Sequence, residues 1–448
     1  MKKAILSLFA AFIMFALCGC SFGRRFWTTY KITGGEDTGV VYIDDGGGEN
    51  PVSSKSRGEN PQSSSETQES KNQSSAENHL PTQTGEESKK YSGYYYQKMD
   101  AAQRSAYENI EKAAKNLSTD FIKLKSVKSY RDLVLAHTGV RNDFPEYFWL
   151  DGNYSWKEHG GVYYIKLKYT CQASAKAEME NKLNAALLEF DRRISKYSAQ
   201  YDRELEAFRW LADRVKYDYD AAEAEKSGHT ADFRAFSAYG AIVTDRMSDG
   251  GKTAKAVCEG YSRAFNLLLS RAGIESTLVS GTFSGGRHMW NAVRIDGKWY
   301  NVDVTTCDTE DELGYFLFNV TDSAMKNAYK WDADFKLTEF ASSTLVENFN
   351  FSVPPCVSND NNYLAKCGRM INSGDAKTVA ARINEAFSLG ARRCEFVIND
   401  NDDYVFNAEN AFQKLGIGGI EKELNPGINP GKITVSGIEG TKGFVISW

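Results

Sequence analysis

The chain is predicted to be an α+β protein on three observations. Two apolar, β-branched stretches, residues 289–295 and 298–304, are joined by Asp296-Gly297. A stretch with apolar residues at helical spacing begins at residue 259 and is followed by a strand-like "IESTLVSG". Helix-like and strand-like segments also lie on both sides of this centre, at residues 91–200 and beyond 355. Period 3.6 and period 2 are the marks of a half-buried helix and a half-buried strand.

The central hairpin comes first because its register is readable. An Asp-Gly pair between β-rich runs is a strong signal for a two-residue turn. Ile295 then faces Lys298, Trp290 faces Asp303 and His288 faces Thr305. His288 and Asp303 therefore share a face as diagonal neighbours. Their backbones are expected roughly 7–8 Å apart, a gap that long side chains close to a hydrogen bond. Asp296, the competing carboxylate, sits in the turn itself, where aspartate is favoured for its tolerance of left-handed backbone. Asn301 is on the face of Asp303 but two residues further from His288, and Asn291 points the other way, so an aspartate partner is favoured over an asparagine.

Upstream, "KAVCEGYSRAFNLLLSRAGIESTLVSG" supplies a nucleophile. Phe265, Leu268 and Leu269 recur at helical spacing from Glu259 onward, and Gly273 is a suitable C-terminal cap. Cys258 is then placed at the start of the helix. There, backbone N–H groups and the macrodipole favour thiolate, the reactive form. A lone cysteine is more often a core residue. Here it opens a helix and precedes a His and an Asp on one hairpin face, which is the logic of a Cys-His-Asp triad.

These residues resemble the transglutaminase-like cysteine enzymes. "AVCEGYSRAFNLLLSRAGIESTLVSG", "HMWNAVRIDGKWYNVDVT" and "YFLFNVTD" look like the family's core motifs in the family's order. The likeness is specific over about residues 204–330, and "DFPEYFWLDGNYSW" and "WLADRVKYDYD" extend it weakly upstream. It implies a papain-like core, with the Cys-bearing helix packed on an antiparallel sheet. It further implies Cys258 as nucleophile, His288 as general base and acid, and Asp303 as the residue that orients the imidazole. Tyr239 is a candidate second donor to the oxyanion, weighed against an ordinary core aromatic. Two departures stand out. "TDRMSDGGKTAK" intervenes before "AVCEGY" and reads as a surface insertion, and Thr305, Thr306 and Cys307 follow Asp303 where the pattern often has an aromatic.

The implied chemistry is addition of the Cys258 thiolate to an amide carbonyl, leaving an acyl-thioester. Water resolving that ester makes a peptidase or amidase, and an amine makes a transglutaminase or transpeptidase. A catalytically silent binding module is the third reading.

The N-terminus bears on location. "MKKAILSLFAAFIMFALCGC" has two lysines, an apolar run and small residues before a cysteine, as a secretory signal does. "LCGC" resembles a bacterial lipobox, which implies cleavage after residue 19, lipidation of Cys20 and an extracytoplasmic, membrane-tethered protein. Residues 20–45 read equally as a small hairpin or as linker. Residues 46–90, dominated by Ser, Glu, Gln, Asn and Gly, cannot bury enough apolar surface to order themselves. As a coil, such a tether reaches roughly 35–40 Å.

The 448 residues are 42% hydrophobic and 25% charged with net charge −5, an ordinary globular balance without a basic stripe, so nucleic acid is not an expected partner. The expected partners are a protein or peptide substrate and the membrane. No cofactor is expected. The five histidines are scattered singly, and "NDNDD" at 399–403 lacks the glycine and distal glutamate of a calcium loop, so no metal is expected. Besides Cys18, Cys20 and Cys258 there are Cys171, Cys307, Cys356, Cys367 and Cys394, without disulfide-framework spacing. Cys356 and Cys367 are the nearest candidates for a bridge.

The expected organisation is a signal peptide at 1–19, an anchor-proximal segment at 20–45, a linker at 46–90, an α+β lead-in at 91–200, the catalytic core at 201–350 and a small α/β unit at 356–448. In the last, helices are expected at 376–389 and 409–415 and strands at "CEFVI", "KITVSG" and "GFVISW".

Overall fold

A computed structural model describes residues 28–31, 41–43, 93–245, 253–308, 313–331, 337–338, 345–346, 353–371, 375–398, 405–407, 417–429 and 432–448. The expected signal peptide, Cys20, the linker, the "NDNDD" run and the helix at 409–415 lie outside these residues, as does most of the insertion before "AVCEGY".

The central layer is a helix on an antiparallel sheet. Helix α1 spans Gln200–Arg214 and helix α2 spans Cys258–Arg271. Five strands follow: β1 Glu275–Phe283, β2 Gly286–Ile295, β3 Lys298–Val302, β4 Phe318–Val320 and β5 Tyr329–Trp331. Their spatial order is β4-β3-β2-β1-β5. Ile295 faces Lys298 and Val302 faces Asn291, the register that the Asp-Gly turn dictates. Asp296 and Gly297 both have positive φ, 50° and 81°, as a two-residue hairpin turn of this hand requires.

α2 is buried almost all round, with Tyr261, Ala264, Phe265, Leu268 and Leu269 inaccessible to solvent. A helix apolar on several faces belongs between two layers. α2 lies between α1, where Phe208 meets Phe265 edge-on, and the sheet, where Ser262 donates to the Met289 carbonyl. Each fully buried Leu or Phe contributes about 1.5–3 kcal/mol. Gly273, at φ 72°, ends the helix, and the Ile274 N–H closes back on the Leu269 carbonyl.

The lead-in has its own apolar core. Helices Ala101–Lys115 and Tyr130–Asp143 pack on a three-stranded antiparallel sheet in the order Ile122–Leu124, Val162–Tyr169, Leu150–His159. Asp100 and Gln103 form a reciprocal capping box at the first helix, and Ser129 caps the second. The helix Ala173–Ile194 sides with the catalytic core, burying Leu183, Leu187 and Phe190 there. The lead-in's own apolar cluster reaches as far as Tyr169.

In the C-terminal unit, helix Ala376–Ser388 packs over strands Arg393–Ile398, Gly443–Ser447 and Thr434–Gly437. Strands Thr28–Lys31 and Val41–Ile43 pair antiparallel and extend this sheet, with Tyr30 opposite Val435. The bridge between Cys356 and Cys367 does not form. Both thiols are free, Cys356 buried and Cys367 exposed. Among the described residues no helix is long and apolar enough to cross a membrane.

Candidate active site

Cys258 is the first residue of α2, with Val257 as its N-cap. The helix start is pressed against the turn at residues 233–236. The Val257 N–H donates to the Ala235 carbonyl, and a side chain at Gly260 would collide with that same oxygen. Glycine in "CEGY" is therefore a condition for seating the cysteine where it is.

His288 stands on β2, opposite Gly281 of β1. Its Nε2 lies 2.7 Å from Asp303 Oδ2, and the Cys258 side chain is close enough to act electrostatically on the ring. All three residues are buried. The imidazole is boxed in by Phe283, Trp290 and Tyr329, with centroid separations of 5.5, 6.2 and 5.9 Å.

One detail differs from the hairpin expectation. The strand was expected to run through residue 304, but β3 stops at Val302, and Asp303 instead caps a helical turn, Val304–Cys307. The physical reason is local. Asp303 Oδ1 accepts from the Thr306 N–H at 3.1 Å, so the carboxylate that faces His288 also starts the turn. His288 therefore does not face Thr305, although its approach to Asp303 survives.

Burial by itself would pull the His288 pKa down, but Asp303 and Cys258 reverse this and raise it from 6.5 to about 10. Burial pushes Asp303 upward, and the imidazole, Thr306 and Tyr329 outweigh it to hold the carboxyl below its ordinary range. The pair is thus arranged as imidazolium and carboxylate.

Other candidates are placed elsewhere. The Tyr239 hydroxyl donates to Asp245 at 2.6 Å and its ring packs on Phe148, so it is not directed at an oxyanion over Cys258. Asn301 accepts from the Trp290 indole and donates to Asp322, while Asn291 donates to the Ser262 carbonyl. Asp296 remains in its turn. His137 is buried in the lead-in against Tyr154, and His159 and His229 are exposed. Among the described residues no group of three or more His, Cys, Asp or Glu side chains is placed to hold a metal ion.

Two neighbours had escaped sequence reasoning. The Thr306 and Tyr329 hydroxyls each donate to Asp303 Oδ2 at 2.7 Å. Asp303 as a helix N-cap is a recognisable signal, but the Thr306 hydroxyl reaching back to it is not. Tyr329, 26 residues from Asp303, gave no local signal.

Beside the helix start, Glu259 is paired with Arg263 at 2.8 Å and with Arg141 of the lead-in at 3.3 Å. These three residues border a cleft of about 820 Å³ between the lead-in and the core, lined also by Phe144, Phe148 and Phe233.

Comparison with known proteins agrees with this architecture. Residues 189–304 match the family model of the transglutaminase-like superfamily. Kyphoscoliosis peptidase of Mus musculus is 29% identical over 126 residues, 25% of this chain and 17% of the mouse protein. The Homo sapiens protein of that name is 26% identical over 167 residues, 34% of this chain and 22% of the human one. The chain thus spans about a fifth of the length of these curated relatives. A solved structure of a TGase shares 17% identity at a TM-score of 0.26, covering 37% of this chain and 47% of that one. Cys258, His288 and Asp303 all fall inside the matched segment, and residues 189–304 of this chain are similar to the transglutaminase-like superfamily.

Proposed function

We propose that the protein is a membrane-anchored, extracytoplasmic cysteine peptidase or amidase that uses Cys258, His288 and Asp303 on protein or peptide amides. The observation that carries the reading is one chain of contacts. The thiol at the first residue of α2 couples electrostatically to an imidazole whose Nε2 lies 2.7 Å from a buried carboxylate.

The chemistry follows from the positions. Cys258 sulfur adds to the amide carbonyl carbon, and the oxyanion forms against the N–H groups at the start of α2. His288 gives its proton to the leaving amine, and the C–N bond breaks to leave an acyl-thioester on Cys258. Water then attacks the thioester with His288 as base, releasing the carboxylic acid and restoring the thiol. Asp303 keeps the ring oriented and offsets its charge throughout. Hydrolysis is preferred to amine transfer because the curated relatives are named as peptidases and water is the default acceptor. Anchoring rests on the signal-like N-terminus, the lipobox-like "LCGC" with Cys20, and the polar tether at 46–90.

The test is thiol labelling of the full chain in detergent with a small amide-like electrophile, read by mass spectrometry at each cysteine. Cys258 is expected to react faster than Cys367 near neutral pH, and at least tenfold more slowly in His288→Ala. Equal rates at Cys258 in the two proteins would remove the enzyme reading. A labelled primary amine appearing in the product would move the assignment to a transglutaminase.

A further inference from the structure

We infer that Tyr329, acting with Thr306, is a positioning residue that sets how tightly Asp303 holds the His288 proton. The inference rests on the triad reading above. Tyr329 lies outside the segment that matches the family model, which ends at residue 304.

The geometry is specific. Asp303 Oδ2, the oxygen nearest His288 Nε2, also accepts the Tyr329 and Thr306 hydroxyls, each at 2.7 Å. The two hydroxyls are 3.3 Å apart. Oδ1 takes the Thr306 N–H. Tyr329 reaches this position because β5 pairs along the outer edge of β1, with Tyr329 opposite Phe283. Its ring is buried against Phe283 at 4.6 Å and Trp290 at 5.2 Å, so the hydroxyl has little freedom to leave the carboxylate. Tyr329 thus brings an aromatic ring to Asp303 from a strand 26 residues away.

Donors on a carboxylate draw off part of its charge. The Tyr329 and Thr306 hydroxyls on Oδ2 help keep Asp303 ionised in a buried site, yet leave less negative charge acting on the imidazole. That balance suits a histidine that must give its proton to the leaving amine and then take one from water. An undivided carboxylate would hold the imidazolium too firmly. Among the described residues, the titratable groups facing the pair are Cys258 on the His288 side, and Cys307 and Tyr329 on the Asp303 side.

The experiment uses the full chain in detergent with ¹³C-labelled histidine, and follows each ring by NMR against pH. The His288 signal is identified by its loss in His288→Gln. In Tyr329→Phe the ring stays in its aromatic nest and only the donor is removed. The pH at which His288 loses its proton is expected to rise by about one unit, the size of one hydrogen bond to a charged group. Thr306→Val is expected to move it in the same direction, and the double variant further. This readout separates a positioning role from a structural one, since a packing defect alone gives no ordered upward movement. Unchanged His288 titration in folded Tyr329→Phe and Thr306→Val proteins would overturn the inference. Cys258 labelling that ignores His288 would instead sink the triad reading, whatever the titration does. If Tyr329→Phe does not fold, Thr306→Val decides alone.

Discussion

At the scale of single residues, the His288–Asp303 pair links chemistry to stability. His288 is held protonated to about pH 10 in the folded chain, against 6.5 for an ordinary histidine. A folded pKa above the unfolded one adds stability that is fully present below about pH 6.5 and is lost as pH rises through about 10. Asp303, held below its ordinary range, has the opposite sign. Its contribution is present above the usual carboxylate range and is lost as pH falls through the lowered value. Asp303→Asn removes both, so the urea midpoint of that variant is expected to be flatter than wild type between pH 6.5 and 10. A wild-type slope surviving in Asp303→Asn would mean that other groups carry it. The same variant is expected to lower the rate of Cys258 acylation by about two orders of magnitude or more, because an amide cannot stabilise the imidazolium.

At the scale of elements, the strands bring together what the chain separates. β5 can lie against β1 only because residue 281 is glycine, where an added Cβ would collide with the Lys330 carbonyl and approach the Trp290 ring to 2.8 Å. Gly281→Ala is expected to cost about 1–3 kcal/mol, the usual range for overpacking, and to loosen the strand that carries Tyr329. Hydrogen exchange at Tyr329 and Trp331 checks this. Protection unchanged from wild type would show that the strand relaxes without losing its pairing. The hairpin shows why part of the site was legible. A two-residue turn fixes register by backbone geometry alone, so β2 and β3 pair as the Asp-Gly signal dictates. The cap at Asp303 was harder to foresee. The same carboxylate serves strand and helical turn, and alternation alone extends the strand through residue 304.

At the scale of the whole molecule, the lead-in is tied to the catalytic core by charge as well as by packing. Arg263 of α2 is buried, bonding to Glu259, to the Arg141 carbonyl and to Asn142 Oδ1. The Tyr95 hydroxyl bonds the Leu278 carbonyl of β1 from the same side. Arg263→Met leaves part-buried Glu259 with the more distant Arg141 and is expected to cost about 1–3 kcal/mol, the usual penalty for losing hydrogen bonds to a charged group. Calorimetry should then resolve two unfolding transitions, the lead-in parting from the core. One transition at an unchanged temperature would show that apolar contacts suffice to couple the units.

From sequence alone, Cys258, His288 and Asp303 could be singled out, along with the helix-on-hairpin core that carries them and the α+β character of the chain. Helix starts, apolar periodicity and two-residue turns are local, and their geometry is written in neighbouring residues. Tertiary structure decided the rest: Tyr239 committed to Asp245, the strands Thr28–Lys31 and Val41–Ile43 joined to the C-terminal sheet, the helix Ala173–Ile194 packed with the core, and Tyr329 brought to Asp303. Each of these depends on which distant surface an element buries, and that choice is made by packing between segments far apart in the chain.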